Sequence, residues 1–472
     1  MVQQARLKHM ATRFVVIDRD TPLLLPPNLR DWVPADHLVH FILDAVEALD
    51  LHQVKVNLRG TGSEQYPPPM LLGLLIYSYA TGTFSSRRIE QSTYDSVPVR
   101  LLTADTHPDH DTLCTFRREN QALLTESFVK VLQLAQQLKV LKFGQLTVAA
   151  DGTKVLANAS KHNSVSYERA GELSAQLELE VQQLLAKAEQ ADATPLQDGL
   201  TIPEEIIRRQ ERKAALAQAR AEIEARAQAR YTAQLAEYQE KTAERAAKKE
   251  RGEKVGGHTP QRPTATPEPG DQYNFTDPES RIMKAGNGNH FAQSYNAQAA
   301  VEVESRLIVG ERVSQAPNDK QELVPTLAAI PTEAGSVAAA LVDSGFFSQK
   351  AVRQVEHDQA GLTVYAAMEK TGHHRSVADL EKRPEPESPR TDAGLPEVMR
   401  HRLRTSAGKA LYKLRQQTVE PVFGIIKAAL GFRQFRLRGR AKVSLEWTLV
   451  CLAYNLKRLH RLGAGPKLAL RS

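Results

Sequence analysis

Two short apolar runs set the strongest limits on the fold. Leu146-Thr-Val-Ala-Ala-Asp151 and Val337 to Asp343 each end in an aspartate, followed by Gly152 in one case and Ser344-Gly345 in the other. Short apolar runs bounded by turn signals read as strands buried on both faces, and such strands need helices on each side of their sheet. The neighbouring pattern supplies further elements. Tyr295 to Glu302 and Leu307 to Val313 read as a hairpin turning near Glu304-Ser305, Gln321 to Ile330 as a helix, and Leu362 to Met368 as another strand. The order strand, strand, strand, helix, strand, helix, strand, helix describes a mixed α/β domain that can place several strand ends on one side of a sheet.

Between the first strand and the rest lies an Ala-, Gln-, Glu-, Arg- and Lys-rich stretch over residues 167–254. Leu216, Ile223, Leu235 and Tyr238 form an approximate helical stripe there, while Pro195 and Pro203 break the pattern earlier, so the stretch reads as a two-helix arm. Its charges of both signs read as a solvated face, with dimerisation a further candidate role. Residues 255–276 fall in a Gly-, Pro- and Thr-rich segment too poor in apolar residues to pack, which predicts a flexible linker. A second polar stretch, His373 to Pro396, precedes the C-terminal helices.

Upstream, residues 1–142 read as a helical module. Its helices are His37 to Leu49, Met70 to Ala80, Ser85 to Tyr94 with Arg87 and Arg88, and one capped by Asp111 that presents Arg117 and Arg118 to solvent. Basic helices after turns are compatible with insertion into a DNA groove. The run Asp105 to Asp111 has the residue types of a metal site, but its spacing matches no zinc pattern. The chain thus divides into 1–142, 143–166 (first part of the α/β domain), 167–254, 255–276 and 277–472.

Charge is unevenly placed. Residues 401–472 hold sixteen Lys/Arg against two acids, +14 in a chain of net charge +7, which leaves −7 on residues 1–400. Such clustering points to a polyanion-binding surface. The two cysteines, Cys114 and Cys451, build neither a disulfide framework nor a four-ligand zinc site and fit a reducing cytoplasm. No apolar run is long enough to span a bilayer and no export signal is evident, so no membrane partner is expected.

Asp151 and Asp343 terminate neighbouring strands, and Glu420, placed before Pro421, is expected at a bend or in the first turn of a helix whose Val419, Phe423 and Ile426 face the sheet. Lys427 follows two turns later on the same face as Glu420. Three carboxylates so arranged can hold two Mg²⁺ ions and leave room for waters and phosphate oxygens, the requirement of two-metal phosphoryl transfer. Lys427 and Arg415 can neutralise the scissile phosphate. Just beyond, the alternating Arg436, Arg438 and Arg440 are expected to project from one side of an extended segment towards DNA.

Val148-Ala-Ala-Asp151-Gly-Thr-Lys154, Leu341-Val-Asp343-Ser-Gly-Phe-Phe and Thr418-Val-Glu420-Pro-Val-Phe-Gly-Ile-Ile-Lys427 resemble the three blocks of the DDE transposases of bacterial insertion sequences. Pro108 to Arg118 resembles the segment that ends that family's N-terminal DNA-binding region. The resemblance implies an RNase H-like catalytic domain and a bacterial cytoplasmic enzyme. It implies Mg²⁺ dependence, with Mn²⁺ as a substitute, cleavage of double-stranded DNA at element ends, and joining of the 3′-hydroxyl to target DNA, with a homodimer on DNA as a candidate assembly. Asp151, Asp343 and Glu420 would be the metal ligands. The subgroup with a tyrosine, arginine, glutamate and lysine signature adds Tyr412, Arg415 and Lys427 as phosphate contacts. It places three residues between Arg and Glu, whereas four separate Arg415 from Glu420 here, about 140° around a straight helix. The competing readings are an RNase H-like host nuclease that cuts without joining, and a non-catalytic DNA-binding protein.

Overall fold

The computed structural model describes residues 28–49, 55, 65–142, 144–191, 202–252, 258–284, 290–368, 385–390 and 392–464. Residues 373–384 and 391 of the second expected linker, and 255–257 of the first, lie outside them. The apolar run after Gly144 forms β1 (Gln145–Leu156), and the second run forms β7 (Ser336–Val342). They pair in parallel at the centre of a six-stranded sheet. On one side of this pair stands β8 (Thr363–Ala366); on the other, β5 (Phe291–Glu302) carries both β4 (Arg281–Lys284) and β6 (Ile308–Ser314) along its far edge.

The expectation that the first strand stops at Asp151 is corrected. β1 runs on to Leu156 because β5 gives it antiparallel backbone partners from Val148↔Glu302 to Leu156↔Ser294. Its other neighbour, β7, ends at Val342. Asp151 is therefore mid-strand on one side and at a sheet end on the other. The parallel register pairs Val148 with Ala340 and Ala149 with Leu341. Carried two residues further, it brings Asp151 level with Asp343.

Between the later strands lie α9 (Leu323–Ala328) and α10 (Gln349–Asp358), and after the sheet come α11 (Leu395–Arg404), α12 (Ser406–Gly424) and α13 (Arg440–Arg461). α9 packs on β5 and β6, and α12 lies on β1, β5 and β7. Before the sheet come α1 (Leu38–Ala48), α2 (Pro68–Ala80), α3 (Ser86–Asp95), α4 (Val97–Leu102), α5 (His110–Glu119) and α6 (Gln121–Gln137). α13 joins the two groups by packing on α2, α6 and β6. Trp447 Nε1 donates to the Gln298 carbonyl at 3.0 Å, and Asn455 bonds both the N–H and the C=O of Ile308 at 2.9 and 2.8 Å. One apolar core thus runs from the N-terminal helices through α13 into the sheet.

The Ala- and Glu-rich stretch, good helix formers throughout, gives α7 (Tyr167–Ala191) and α8 (Ile202–Glu250), which pack on each other. Leu177, Leu216, Ala219, Ile223 and Tyr273 belong to an apolar cluster separate from the main core. A two-stranded ribbon of β2 (Ser164–Ser166) and β3 (Gln272–Asn274) closes its base. The expectation of a linker over 255–276 is corrected at its far end: Arg230 grips Asp271 through two hydrogen bonds of 3.0 and 2.8 Å, and β3 follows directly. The cap of α5 is also corrected. Asp109, in extended conformation after Pro108, accepts from Thr112 N at 2.6 Å, whereas Asp111 lies inside the helix. None of the helices among the described residues is long and apolar enough to cross a membrane.

Candidate active site

Asp151 projects from β1 towards α12. One carboxylate oxygen accepts from its neighbour Gly152 N at 2.8 Å, and the other lies 3.4 Å from Arg415 Nη1. Burial, and next the like charge of Asp343, push its carboxyl up to about 7 against the pull of Arg415. Asp343 leaves β7 at the following turn, where its Oδ1 accepts from Gly345 N at 2.8 Å. The strand end and the turn together fix its direction. Gly345 matters here, because a Cβ at that position would stand 3.0 Å from Asp343 Oδ1.

α12 starts at the Thr405 cap, whose Oγ1 accepts from Gly408 N at 3.0 Å. Thr418, Val419, Val422 and Phe423 are buried on its sheet-facing side. Glu420 is fifteenth of the nineteen helical residues, which corrects the expectation of a first turn or bend. The helix passes through Pro421 because an upstream segment of α12 is already anchored on the sheet. Beyond it the backbone widens into a π-helical turn, Ile425–Ala429.

Arg415 resolves the phase mismatch by reach. Its side chain, 11 % exposed, places Nη2 3.2 Å from Glu420 Oε1 while Nη1 faces Asp151. Tyr412 donates to the carbonyl of Val342, the residue before Asp343, at 3.2 Å. Lys427, within the π turn, donates to the Lys154 carbonyl on β1 at 2.7 Å; burial, followed by the charges of Lys154 and Arg433, lowers its pKa. The structure therefore gathers Asp151, Asp343, Tyr412, Arg415, Glu420 and Lys427 along the stretch of β1 beside and just beyond the end of β7. Among the described residues no three His, Cys, Asp or Glu form a ready-made metal cluster, and Arg415 stands between Asp151 and Glu420.

Sequence reasoning missed a fourth acid. Asp319 accepts from Asn296 Nδ2 at 2.7 Å and Gln298 Nε2 at 2.6 Å, and its Oδ1 lies 3.9 Å from Lys154 Nζ. Gly152 makes room for this cluster, since a Cβ there would meet Gln298, Asp319 and Asn296 at 2.3 to 2.7 Å. The available signal was Asn296 and Gln298 themselves, polar residues two apart on one face of a buried strand, which require a polar partner.

Of the expected DNA contacts, Arg87, Arg88 and Arg118 are exposed, but Arg117 is only 4 % exposed. Arg117 lies about 100° around α5 from Arg118, on the side that faces Tyr79 and Ser86. Arg436, Arg438 and Arg440 are exposed. Their common projection from an extended segment is corrected: Gly439, with φ of +81°, turns the chain, and Arg440 is the first residue of α13.

The match to the family model described as "Transposase DDE domain" covers residues 386–460, from before α11 to the last turn of α13, and so includes Glu420. The model described as "Transposase domain (DUF772)" matches residues 27–119, which hold α1 to α5. These matches identify a DDE transposase of insertion-sequence type. Neither the curated proteins nor the solved structures compared with the chain gave a match. In this transposase, β1 and β7, which carry Asp151 and place Asp343, lie outside both matched segments and join the site through the sheet.

Proposed function

We propose that this transposase cleaves double-stranded DNA at the ends of its own element and joins the freed 3′-hydroxyl to target DNA, in an RNase H-like domain whose ligands are Asp151, Asp343 and Glu420. The parallel register of β1 with β7 carries the reading, since it sets Asp151 level with Asp343 beneath the helix that holds Glu420. The donor set suits hard divalent cations: all three groups offer carboxylate oxygen, and Asp151, buried beside another acid, gains from added positive charge. Two Mg²⁺ ions, or Mn²⁺ in their place, would supply activation of the attacking hydroxyl and stabilisation of the leaving oxygen.

The chain's own residues then bind and orient. Arg415 turns Nη1 towards Asp151 and Nη2 towards Glu420, so its guanidinium brings positive charge to the place where a phosphate oxygen would lie. Tyr412 holds α12 against the end of β7, and Lys427 brings positive charge beside β1. Arg87, Arg88 and Arg118 serve end binding by the N-terminal helices, and Arg436, Arg438 and Arg440 contact backbone phosphates. Residues 167–254 form an inserted arm that supports a homodimer on DNA.

The test is to incubate the full-length protein with labelled DNA from the flanks of its own gene, in Mg²⁺ and in Ca²⁺. Nicked and joined products are expected in Mg²⁺ alone. Nicking without joining would indicate a host nuclease, and binding without either product a non-catalytic DNA-binding protein.

A further inference from the structure

Arg117, expected on the surface, instead enters a polar chain that joins the N-terminal helices to α13. Its Nη1 donates to Tyr79 Oη at 3.0 Å and its Nη2 to Ser86 Oγ at 3.2 Å. Tyr79 Oη in turn donates to Glu446 Oε1 at 3.3 Å. Glu446 Oε2 accepts from two consecutive backbone amides, Arg436 N at 2.9 Å and Leu437 N at 3.0 Å. Tyr79 and Glu446 are 0 % exposed. A carboxylate buried this deeply costs several kcal/mol unless its lone pairs are filled, and here three donors fill them.

The pair of amides belongs to the segment between α12 and α13, whose side chains divide sharply. Phe432 and Phe435 are buried, whereas Arg433, Arg436 and Arg438 are exposed. The same segment is laced to the far end of β1. Phe435 N donates to Leu156 O at 2.9 Å, Gln434 Nε2 to Ala157 O at 3.0 Å, and Asn158 Nδ2 to Arg436 O at 2.8 Å. Arg433 Nε also donates to the Lys427 carbonyl at 3.1 Å. The segment thus starts beside Lys427, follows the strand that holds Asp151, and is fixed from within by one acid.

We propose that Glu446 is a positioning residue: it sets the backbone at Arg436 and Leu437 so that the exposed arginines of residues 433–438 meet the DNA strand, and through Tyr79 and Arg117 it ties that setting to the N-terminal helices. The inference rests on the transposition reading for the DNA itself. An apolar side chain would pack at lower cost in the same space, but it would take the acceptor from two partly buried amides at the point where the chain passes from one exposed arginine to the next.

Glu446→Gln keeps the shape and weakens the acceptor. Hydrogen exchange at the amides of 436 and 437 should then accelerate about ten-fold, the loss of roughly one charge-assisted hydrogen bond, while amides of β1 and α6 keep wild-type protection. On duplex DNA the slope of log affinity against log salt should fall by about 1.8, two phosphate contacts at roughly 0.9 each. In an Arg436→Ala/Arg438→Ala background, Glu446→Gln should change the slope no further. Tyr79→Phe removes a single hydroxyl, gives a milder version of both effects, and serves as the test if Glu446→Gln does not fold. A variant that melts earlier but keeps the wild-type salt slope overturns the proposal and leaves Glu446 a packing group. Wild-type protein without salt-dependent DNA binding would instead sink the transposition reading on which it rests.

Discussion

A carboxylate buried beside another carboxylate takes up a proton more readily than it would in water, and Asp151 meets both conditions. Glu311 on β6, bonded to Thr448 Oγ1 at 2.7 Å, is likewise pushed up to about 7 by burial. In the unfolded chain such acids titrate near 4. Folding therefore favours the protonated forms, and their stabilising contribution is full below about pH 4 and lost as pH rises through about 7. The melting temperature of metal-free protein should fall between pH 5 and pH 8, and Asp151→Asn with Glu311→Gln should flatten that fall; an equal slope in the double variant would remove both groups as its source. Mg²⁺ at pH 8 should restore stability to wild type but not to Asp151→Asn. In catalysis, Asp151→Asn, Asp343→Asn and Glu420→Gln should each abolish cleavage and leave DNA binding nearly intact, because each removes ligand charge with little change in volume. Near-wild-type cleavage by any one excludes that residue. Groups that act as a unit lose function together, so double variants should be no worse than single ones.

At the scale of elements, the π turn after Pro421 sets Lys427 onto the Lys154 carbonyl. Lys427→Met, which keeps the stem and removes the ammonium, should cut cleavage about a hundred-fold at saturating DNA, the usual effect of deleting one transition-state donor. An equal loss in affinity and none in the bound rate would make Lys427 a binding residue only. The helical pair α7 and α8 meets the rest through the β2–β3 ribbon and through exposed pairs such as Lys350–Glu240 at 2.6 Å, which contribute little. Replacing residues 168–254 by a short Gly/Ser linker should therefore leave a soluble, cooperatively unfolding protein; its loss would mean that these helices support the main core. The strands that place Asp151 and Asp343 were legible because unbroken apolar runs need two covered faces, and the helical stripe of Val419, Phe423 and Ile426 was legible by its period. Arg415 was legible as a site residue, but its approach to Glu420 was not, since helical phase describes where a Cβ points and not how far a guanidinium reaches. Glu446 was illegible for another reason: its side-chain partner is remote in sequence, with Tyr79 and Glu446 367 residues apart. Pairing at such separations leaves no local period.

For the molecule as a whole, the sequence divides at about residue 142 but the apolar core does not. α13 is buried along most of its length, facing α2 and α6 as well as β6, and Phe84 of the N-terminal region packs edge-on against Phe432 with ring centroids 5.1 Å apart. Lys457 Nζ adds a bond to the Ala80 carbonyl at 2.6 Å. Removing the N-terminal helices would uncover this face of α13 and strip Glu446 of its Tyr79 partner, leaving an apolar surface of the kind that drives association. Residues that share one core unfold together. The intact protein should accordingly show one calorimetric transition for the N-terminal helices and the sheet, with α7 and α8 free to melt separately because their apolar cluster is their own. A fragment of residues 144–472 should aggregate or bind a hydrophobic dye, and co-expression with residues 1–142 should restore soluble protein. Two transitions reproduced one by one by the isolated fragments would show that the N-terminal helices are an independent domain, and would also remove the route by which Arg117 and Tyr79 reach the basic segment beside the strand that holds Asp151.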